Sequence, residues 1–512
     1  MTALPHVLEW TRRPLGGLRD DIARKRPFYF QDFKDGLNSK VVATTLFLYF
    51  ACLANALAFG ALTGALTGNQ IGIIEMLVIT AVGGIAFSLL AGQPLTILGG
   101  TGPITIFTGL LYGLCQQYQL PFVTIYAWVG IWSGLMLLLG AFTDASALMK
   151  YFTKFTDEVF AALISVIFIY EAVNNIVTSY QTQELSVAFL ATILALGTFI
   201  IARNLKRATN TVYLTKTARE ALSDFGPALS IMALTGFSLL FPQVALERPP
   251  IPDGFATTSG RPWMVDLFAV PISTILTCFV PALMVTILLF LDQNITTRIV
   301  NSPGSRLRKG SGYHLDLAIV ALLVLGGSLF ALPWLAAATV HSLNHLKALT
   351  ETEVRTEGGQ AKEVPVSVCE NRVSGLLIHL ILAASLFFLP LLANIPMAVL
   401  YGLFLYMGVA SLGGNGFFDR LTLWVTDPRL YPKTHFITQV PLSTVHRFTL
   451  IQLVCFGALW MIKSSKLGIL FPLMIAAMVP IRALAGRLFE PEHIALLDAE
   501  DEEEAVAMHL GD

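Results

Sequence analysis

Fourteen apolar runs follow one another between residues 41 and 483, more than a water-soluble core can absorb. They fall at about 41–67, 71–91, 101–115, 121–143, 156–179, 184–202, 221–241, 267–297, 314–332, 337–346, 374–393, 395–413, 447–462 and 467–483. A helix needs about 20 apolar residues to cross a hydrocarbon core. The third and tenth runs are too short to cross as ordinary helices. Only 13% of the 512 residues are charged, against roughly 25% in soluble domains, so the surplus apolar surface must face lipid. The sequence predicts an all-α polytopic membrane protein embedded in a lipid bilayer. A net charge of −1 gives no reason to expect nucleic acid as a partner. The five cysteines (Cys52, Cys115, Cys278, Cys369 and Cys455) are scattered without a CxxC pair, a pattern that implies neither a metal site nor a disulfide framework.

Basic residues set the orientation. With the N-terminus in the cytoplasm, 29 Lys and Arg fall on the inner side and 4 outside, namely Arg248, Arg261, Lys463 and Lys466. The bias follows the positive-inside rule and places both termini in the cytoplasm of a protein of the cell membrane, plasma or inner. Residues 1–38 hold eight basic residues and no long apolar core, which reads as a cytoplasmic lead-in and not a signal peptide. Residues 39–241 and 267–483 then form two seven-element repeats of opposite topology. An extracellular loop, 242–266, joins them, and an acidic cytoplasmic tail, 484–512, follows. No Walker motif or ATPase domain accompanies the spans, so the chain is expected to be no enzyme and to draw on a gradient.

The two short elements are the third of each half, and each follows a helix breaker. The first breaker is Gln93-Pro94 with Gly99, Gly100 and Gly102-Pro103; the second is Pro333-Trp334. Transporters built from inverted halves place their site between such discontinuous helices. A helix that starts inside the membrane exposes unpaired N–H groups and the positive end of its dipole. Two such ends facing each other make an anion site without a fixed basic side chain.

Acidic residues inside spans are costly, and their default reading is functional. Asp292 lies well inside the eighth run, with Thr296 four residues on and on the same helical face. A carboxylate with a hydroxyl one turn away suits Na⁺ or holds a proton. Glu75, near a helix end, and Glu171, beside Asn174 and Asn175, read as structural. His341 stands one turn into the second short helix and reads equally as a satisfied polar residue or as part of the site.

Several stretches carry a resemblance. They are Gly16-Gly17-Leu18 with Asp21-Ile22 and Arg26-Pro27; Ala91-Gly92-Gln93-Pro94-Leu95-Thr96 with Thr101-Gly102-Pro103; and Ile167-Phe168-Ile169-Tyr170-Glu171-Ala172. Further on are Lys309-Gly310-Ser311-Gly312-Tyr313-His314-Leu315-Asp316-Leu317, Leu332-Pro333-Trp334 with Ala337-Ala338-Thr339-Val340, and Ile395 to Ser411. On these residues the chain resembles the membrane domain of solute carrier family 4, the anion exchangers and sodium–bicarbonate cotransporters. The resemblance implies fourteen transmembrane elements in 7+7 inverted repeats with two discontinuous half-helices, split into core and gate domains. It also implies a homodimer through the gate domains, elevator-like alternating access, and a site between the half-helices and elements 1 and 8. Regulation through the family's large preceding cytoplasmic domain and longer outer loop is not expected to carry over.

Subtype turns on two positions of the resemblance. Sodium-coupled members are similar to this chain in having Asp where Asp292 stands; electroneutral exchangers have Glu there. Borate carriers also show an Asp near this point. Exchangers place Arg where His341 stands, and sodium-coupled members an aliphatic residue. Gln293, Thr296 and the Tyr401–Ser411 stretch are closer to the cotransporters. The leading expectation is a secondary carrier of bicarbonate or carbonate driven by Na⁺, the coupling ion, which Asp292 and Thr296 bind. Backbone N–H groups around Thr101, Gly102, Pro103 and Ile104 and around Ala338, Thr339, Val340 and His341 hold the anion, with His341 a neutral donor to it. The alternative is a Na⁺-independent chloride/bicarbonate or proton-linked exchanger, borate included, with His341 cationic. A channel or a purely structural membrane protein is the third reading.

Overall fold

The computed structural model describes Leu8 and residues 10–498, apart from 253, 303, 304, 358, 359, 433 and 466. The acidic run expected beyond Asp498 lies outside the described residues, as does Lys466. In chain order the helices and strands are α1 (Gly16–Lys25), α2 (Tyr29–Asp35), α3 (Ser39–Leu66), α4 (Ile73–Leu90), β1 (Leu98–Gly99), α5 (Gly102–Gln117), α6 (Phe122–Phe142), α7 (Lys154–Thr182), α8 (Leu185–Lys206), α9 (Lys216–Asp224) and α10 (Gly226–Ser238). The second half continues with α11 (Ile272–Thr277), α12 (Phe279–Val300), α13 (Tyr313–Ser328), β2 (Ala336–Ala337), α14 (Thr339–Leu349), β3 (Thr350–Glu357), β4 (Gln360–Val368), α15 (Val373–Ala384) and α16 (Leu389–Leu392). It closes with α17 (Met397–Leu412), α18 (Gly416–Thr422), α19 (His435–Gln439), α20 (Leu442–Lys463), α21 (Phe471–Ala485) and α22 (Pro491–Asp498).

Every one of the fourteen apolar runs holds helix, but they are not fourteen full crossings. Among the described residues, nine helical spans are long and apolar enough to cross a membrane, or ten if α17 and α18, bent by 79°, count as one. The remaining apolar helices, α5, α10, α13, α14 and α17, have 11 to 16 residues. At 1.5 Å per residue the shortest of them covers about half of a ~30 Å hydrocarbon core.

Helix boundaries have local causes. The Asn38 side chain accepts the Val41 N–H and starts α3. Glu75 sits in the first turn of α4 and accepts the Gly72 N–H at 2.9 Å, and the Thr258 N–H and hydroxyl at 2.8 and 2.6 Å. Its structural reading therefore holds. Glu171 meets Lys463 across α7 and α20 at 3.7 Å.

The helices pack in two groups. One contains α3, α4, α5, α6, α12, α13, α14 and α15; the other contains α7, α8, α10, α17, α20 and α21. The groups meet where α17 and α10 pack on α3, α21 packs on α12 and α7 touches α5; α17 also packs on α7 and α8.

The N-terminal segment is more than a lead-in. Asp21 accepts the His314 and Leu315 N–H groups at 2.8 and 3.1 Å and so caps α13. Burial pushes its pKa above the usual carboxylate value. Asp32 pairs with Lys309 at 2.7 Å and with buried Arg372 at 3.2 Å. Arg372 in turn donates to the Ser88, Leu89 and Ala91 carbonyls, closing the end of α4. Gly92 and Gly312 lie so close that a Cβ on either would fall 2.7 or 2.5 Å from the other's Cα, which only glycine permits.

Candidate functional site

The two helix breakers meet. Leu98 and Gly99 pair antiparallel with Ala337 and Ala336, and the Ala338 N–H donates to the Ile97 carbonyl at 2.8 Å. Each short strand runs directly into a helix, so α5 and α14 both begin at this pairing. Irregular backbone inside a bilayer must find partners in protein, and here each breaker supplies the other's.

Each breaker is also held by the opposite half of the chain. Asp316 on α13 accepts the Gly92 and Gln93 N–H groups at 2.6 and 3.0 Å. The Gln93 amide donates to Asn301 at 2.9 Å. Ser342 donates to the Ile97 carbonyl and accepts the Ile97 N–H, and His345 Nδ1 bonds the Leu95 carbonyl at 2.9 Å. In return, Tyr126 on α6 stacks on Trp334 with centroids 4.0 Å apart and accepts its backbone N–H.

One turn of α12 spans both helix starts. The Thr101 hydroxyl donates to Asp292 Oδ2 at 2.6 Å. Gln293 accepts the Ala337 N–H at 3.1 Å. Thr296 donates to the Ala337 carbonyl at 3.1 Å and lies 2.6 Å from the Thr339 hydroxyl. Asp292 and Thr296, expected to bind Na⁺, share a face of α12, with Asp292 reaching the first helix start and Thr296 the second. The reason is spacing. Residues four apart on α12 lie about 6 Å apart along its axis, matching two helix starts held side by side by a two-stranded pairing.

The other expected site residues are placed as follows. Thr101 stands at the N-cap of α5 in extended backbone, with its side chain turned away from capping. Gly102, Pro103 and Ile104 form the buried first turn of α5; a Cβ on Gly102 would fall 2.7 Å from Phe168. Gly100 gives its carbonyl to Asn55 at 3.3 Å and packs on Phe59, both on α3. At the second start the N–H of Ala338, expected to face the anion, donates to the Ile97 carbonyl. Thr339, Val340 and His341 make up the first turn of α14, where N–H groups have no partner within the helix. His341 Nε2 bonds the Ala51 carbonyl of α3 at 3.1 Å. A carbonyl only accepts, so Nε2 carries the hydrogen, and Nδ1 of a neutral ring has none to give. Asn55, Gln293, Asp316 and His345 were given no site role from the sequence, although Gln293 and Asp316 stood among the residues that carried the resemblance.

Asp292 is a buried acid in the middle of α12. A charged carboxylate at a helix centre costs about 2.5–3.5 kcal/mol to place in a bilayer. One hydrogen bond to a charged group returns roughly 1.5–3 kcal/mol. A single hydroxyl barely offsets the cost, so a proton or a small cation is the natural second partner. The positive end of a helix dipole favours negative charge beside it by up to ~2 kcal/mol in partly buried geometry, and α5 begins beside Asp292.

Fold and site define a polytopic membrane protein with two internal helix starts facing a buried acid. The family model described as the HCO3- transporter integral membrane domain matches residues 13–187 and 178–502, and the chain belongs to that bicarbonate transporter family. It is 38% identical over 573 residues to the electrogenic sodium bicarbonate cotransporter 1 of Sus scrofa, covering 96% of this chain and 53% of that protein. It is 36% identical over 519 residues to the Band 3 anion transport protein of Rattus norvegicus, covering 96% and 56%. The chain thus spans about half the length of these relatives. Among solved structures it is similar to the transmembrane domain of the cyanobacterial bicarbonate transporter BicA, with TM-score 0.56 and 17% identity over 82% of this chain and 98% of that one. It is also similar to SLC26A9, with TM-score 0.59 and 12% identity over 90% and 68%. These two likenesses concern the fold alone.

Proposed function

We propose that the protein is a secondary carrier of bicarbonate or carbonate, coupled to Na⁺ and working by alternating access. The observation that carries this reading is the span of α12 across both helix starts, Asp292 to Thr101 and Thr296 to Thr339. The anion would lie at the first-turn N–H groups of Gly102, Ile104, Thr339, Val340 and His341. Na⁺ would sit at the Asp292 carboxylate with the Thr101 oxygen, its charge offsetting both the buried acid and the anion. The helices fall into two packed groups that meet along α3, α5 and α12 on one side and α7, α10, α17 and α21 on the other, and this division supports a core that moves against a gate. On this reading the two halves are inverted repeats, the five shorter apolar helices complete fourteen elements, both termini are cytoplasmic, and the gate group forms a homodimer.

Both coupled and uncoupled carriers stand among the relatives, and a Na⁺-independent exchanger is the second reading. His341 favours it only when protonated, because its neutral donor is taken by Ala51. The test is uptake of labelled bicarbonate into proteoliposomes. Uptake that requires external Na⁺ and collapses with its gradient supports coupling. Uptake that is unchanged in Na⁺-free buffer but needs an internal anion assigns exchange.

A further inference from the structure

We propose that Arg248 is an outer recruiting site for the transported anion, a planar oxyanion such as bicarbonate, at the mouth of a cleft between the two helix groups. This rests on the transport reading and on the orientation set by the basic residues. The cleft is lined by Gly60, Gly64, Asn69, Gly72, Arg248 and Met397. Its floor is α3, on which Asn55 and Phe59 touch Gly100 beside the first helix start. From Gly64 to Asn55 is nine residues, about 13 Å along the helix. An anion resting at the mouth is therefore two to three turns of α3 from the proposed site.

Elimination singles out Arg248 among the outer cations. Arg261 is spent on backbone carbonyls, those of Phe330 at 3.0 Å and Ala331 at 3.3 Å among them. Lys463 lies 3.7 Å from Glu171 and over the rings of Tyr170 and Trp460. Lys466 is outside the described residues. Among the described residues of this face, only Arg248 leaves its charge exposed, with no ion-pair or carbonyl partner. Its fork geometry suits two oxygens of a planar anion.

The backbone holds it there. The Met397 N–H at the start of α17 donates to the Glu247 carbonyl at 2.9 Å, fixing the residue just before Arg248 to the second helix group. Ten residues on, Thr258 is bonded to Glu75 of the first group. Between these anchors Pro249, Pro250 and Pro252 stiffen the chain. Arg248 is thus held at the boundary between groups, where a cleft with low-dielectric walls focuses its field. Glu247 also lines the cleft, and its charge is the opposing contribution that Arg248 must outweigh.

The experiment uses the full chain in oriented proteoliposomes, with Arg248→Gln and Arg248→Lys. Half-saturation by bicarbonate is measured separately from each side, at low and high concentrations of an impermeant salt. We expect R248Q to raise the external half-saturation about fivefold at low salt, with maximal rate and internal half-saturation unchanged, and R248K to restore most of the loss. The wild type should lose affinity as salt rises and R248Q should not. Equal external half-saturation in wild type and R248Q, or equal changes on both sides, would overturn the proposal. A second readout does not depend on transport: external bicarbonate should slow modification of Arg248 by phenylglyoxal, scored by peptide mass spectrometry. Absence of wild-type flux with protection intact would fail the transport reading alone; no protection would fail the recruiting site.

Discussion

The hydroxyl of Thr101 meets Asp292 Oδ2 at 2.6 Å, joining the cap of a broken helix in the first half of the chain to the middle of a helix in the second. Thr296, one turn along, makes the matching bond to Thr339. These two hydroxyl contacts assign Asp292 to one helix start and leave the other to a neutral pair, so the site is electrically one-sided.

That asymmetry makes a first prediction. Asp292→Asn should abolish Na⁺-driven uptake while leaving a folded protein, because the amide keeps a partner for Thr101 but holds no cation. Asp292→Glu should be milder and less selective for Na⁺, since an added methylene moves the oxygens by about 1.5 Å. Thr101→Val should weaken half-saturation by Na⁺ about tenfold, the worth of roughly one hydrogen bond, and Thr101→Ser should restore it. Normal Na⁺-driven uptake by the Asn variant in proteoliposomes would remove Asp292 from the mechanism.

Much of the membrane architecture was legible because a bilayer imposes a simple rule on composition, and the two breakers were legible because Pro and Gly interrupt apolar runs conspicuously. Partner choice was not. Nothing in the spacing of Asp292 and Thr296 says that they diverge to different helix starts; that follows from β1 pairing with β2, a contact 239 residues apart in sequence. The same limit hid Asp316, whose N–H partners at Gly92 and Gln93 lie more than 220 residues away. It hid the role of residues 10–37 as well. A basic, short-helix segment reads as a solvated lead-in until Asp21 and Asp32 are seen capping α13 and holding Arg372.

Bulk at the helix starts should not be tolerated. Ala338 is buried and its N–H is part of the strand pairing, while Thr101 faces Asp292. Thr101→Trp and Ala338→Trp should each lose transport. Gly100→Ala should do so with far less added volume, because its Cβ would fall 2.7 Å from Phe59 Cβ and push α3 from the site. Size-exclusion profiles establish folding, and bicarbonate uptake at wild-type rate by folded variants would place the site elsewhere.

Arg372 should matter for stability and not for ion selectivity. It is buried, donates to three carbonyls at the end of α4 and pairs with Asp32. Arg372→Ala leaves those carbonyls without their donor and Asp32 with Lys309 as its remaining cation, a loss of about 1–3 kcal/mol for each buried acceptor left unmet. Arg372→Lys should recover only part, since a single ammonium lacks the fork that reaches them together. The check is the melting temperature in detergent: a clear fall for Ala, a smaller one for Lys, and unchanged Na⁺ half-saturation in whatever folded Lys variant remains. A Lys variant with wild-type stability would contradict the capping role.

His341 separates the two modes of transport. Its Nε2–H is bound to the Ala51 carbonyl at 3.1 Å, which leaves a neutral ring with only an acceptor at Nδ1. A neutral His341 therefore tethers α14 to α3 and gives nothing to an anion. A protonated His341 would offer Nδ1–H and a positive charge near the helix start. Under Na⁺ coupling a second cation there repels Na⁺, so the neutral form is the working one. His341→Gln, whose amide also donates to Ala51, should then keep most Na⁺-driven uptake. His341→Arg should suppress it, because the charge is permanent. Under exchange the outcomes reverse: Arg sustains or raises Na⁺-independent flux, and Gln loses it. We expect the first pattern, because Asp292 already supplies the seat for a cation that would do the work of a fixed positive side chain. Full Na⁺-driven uptake in His341→Arg would show that this side chain stands too far from the cation to affect it.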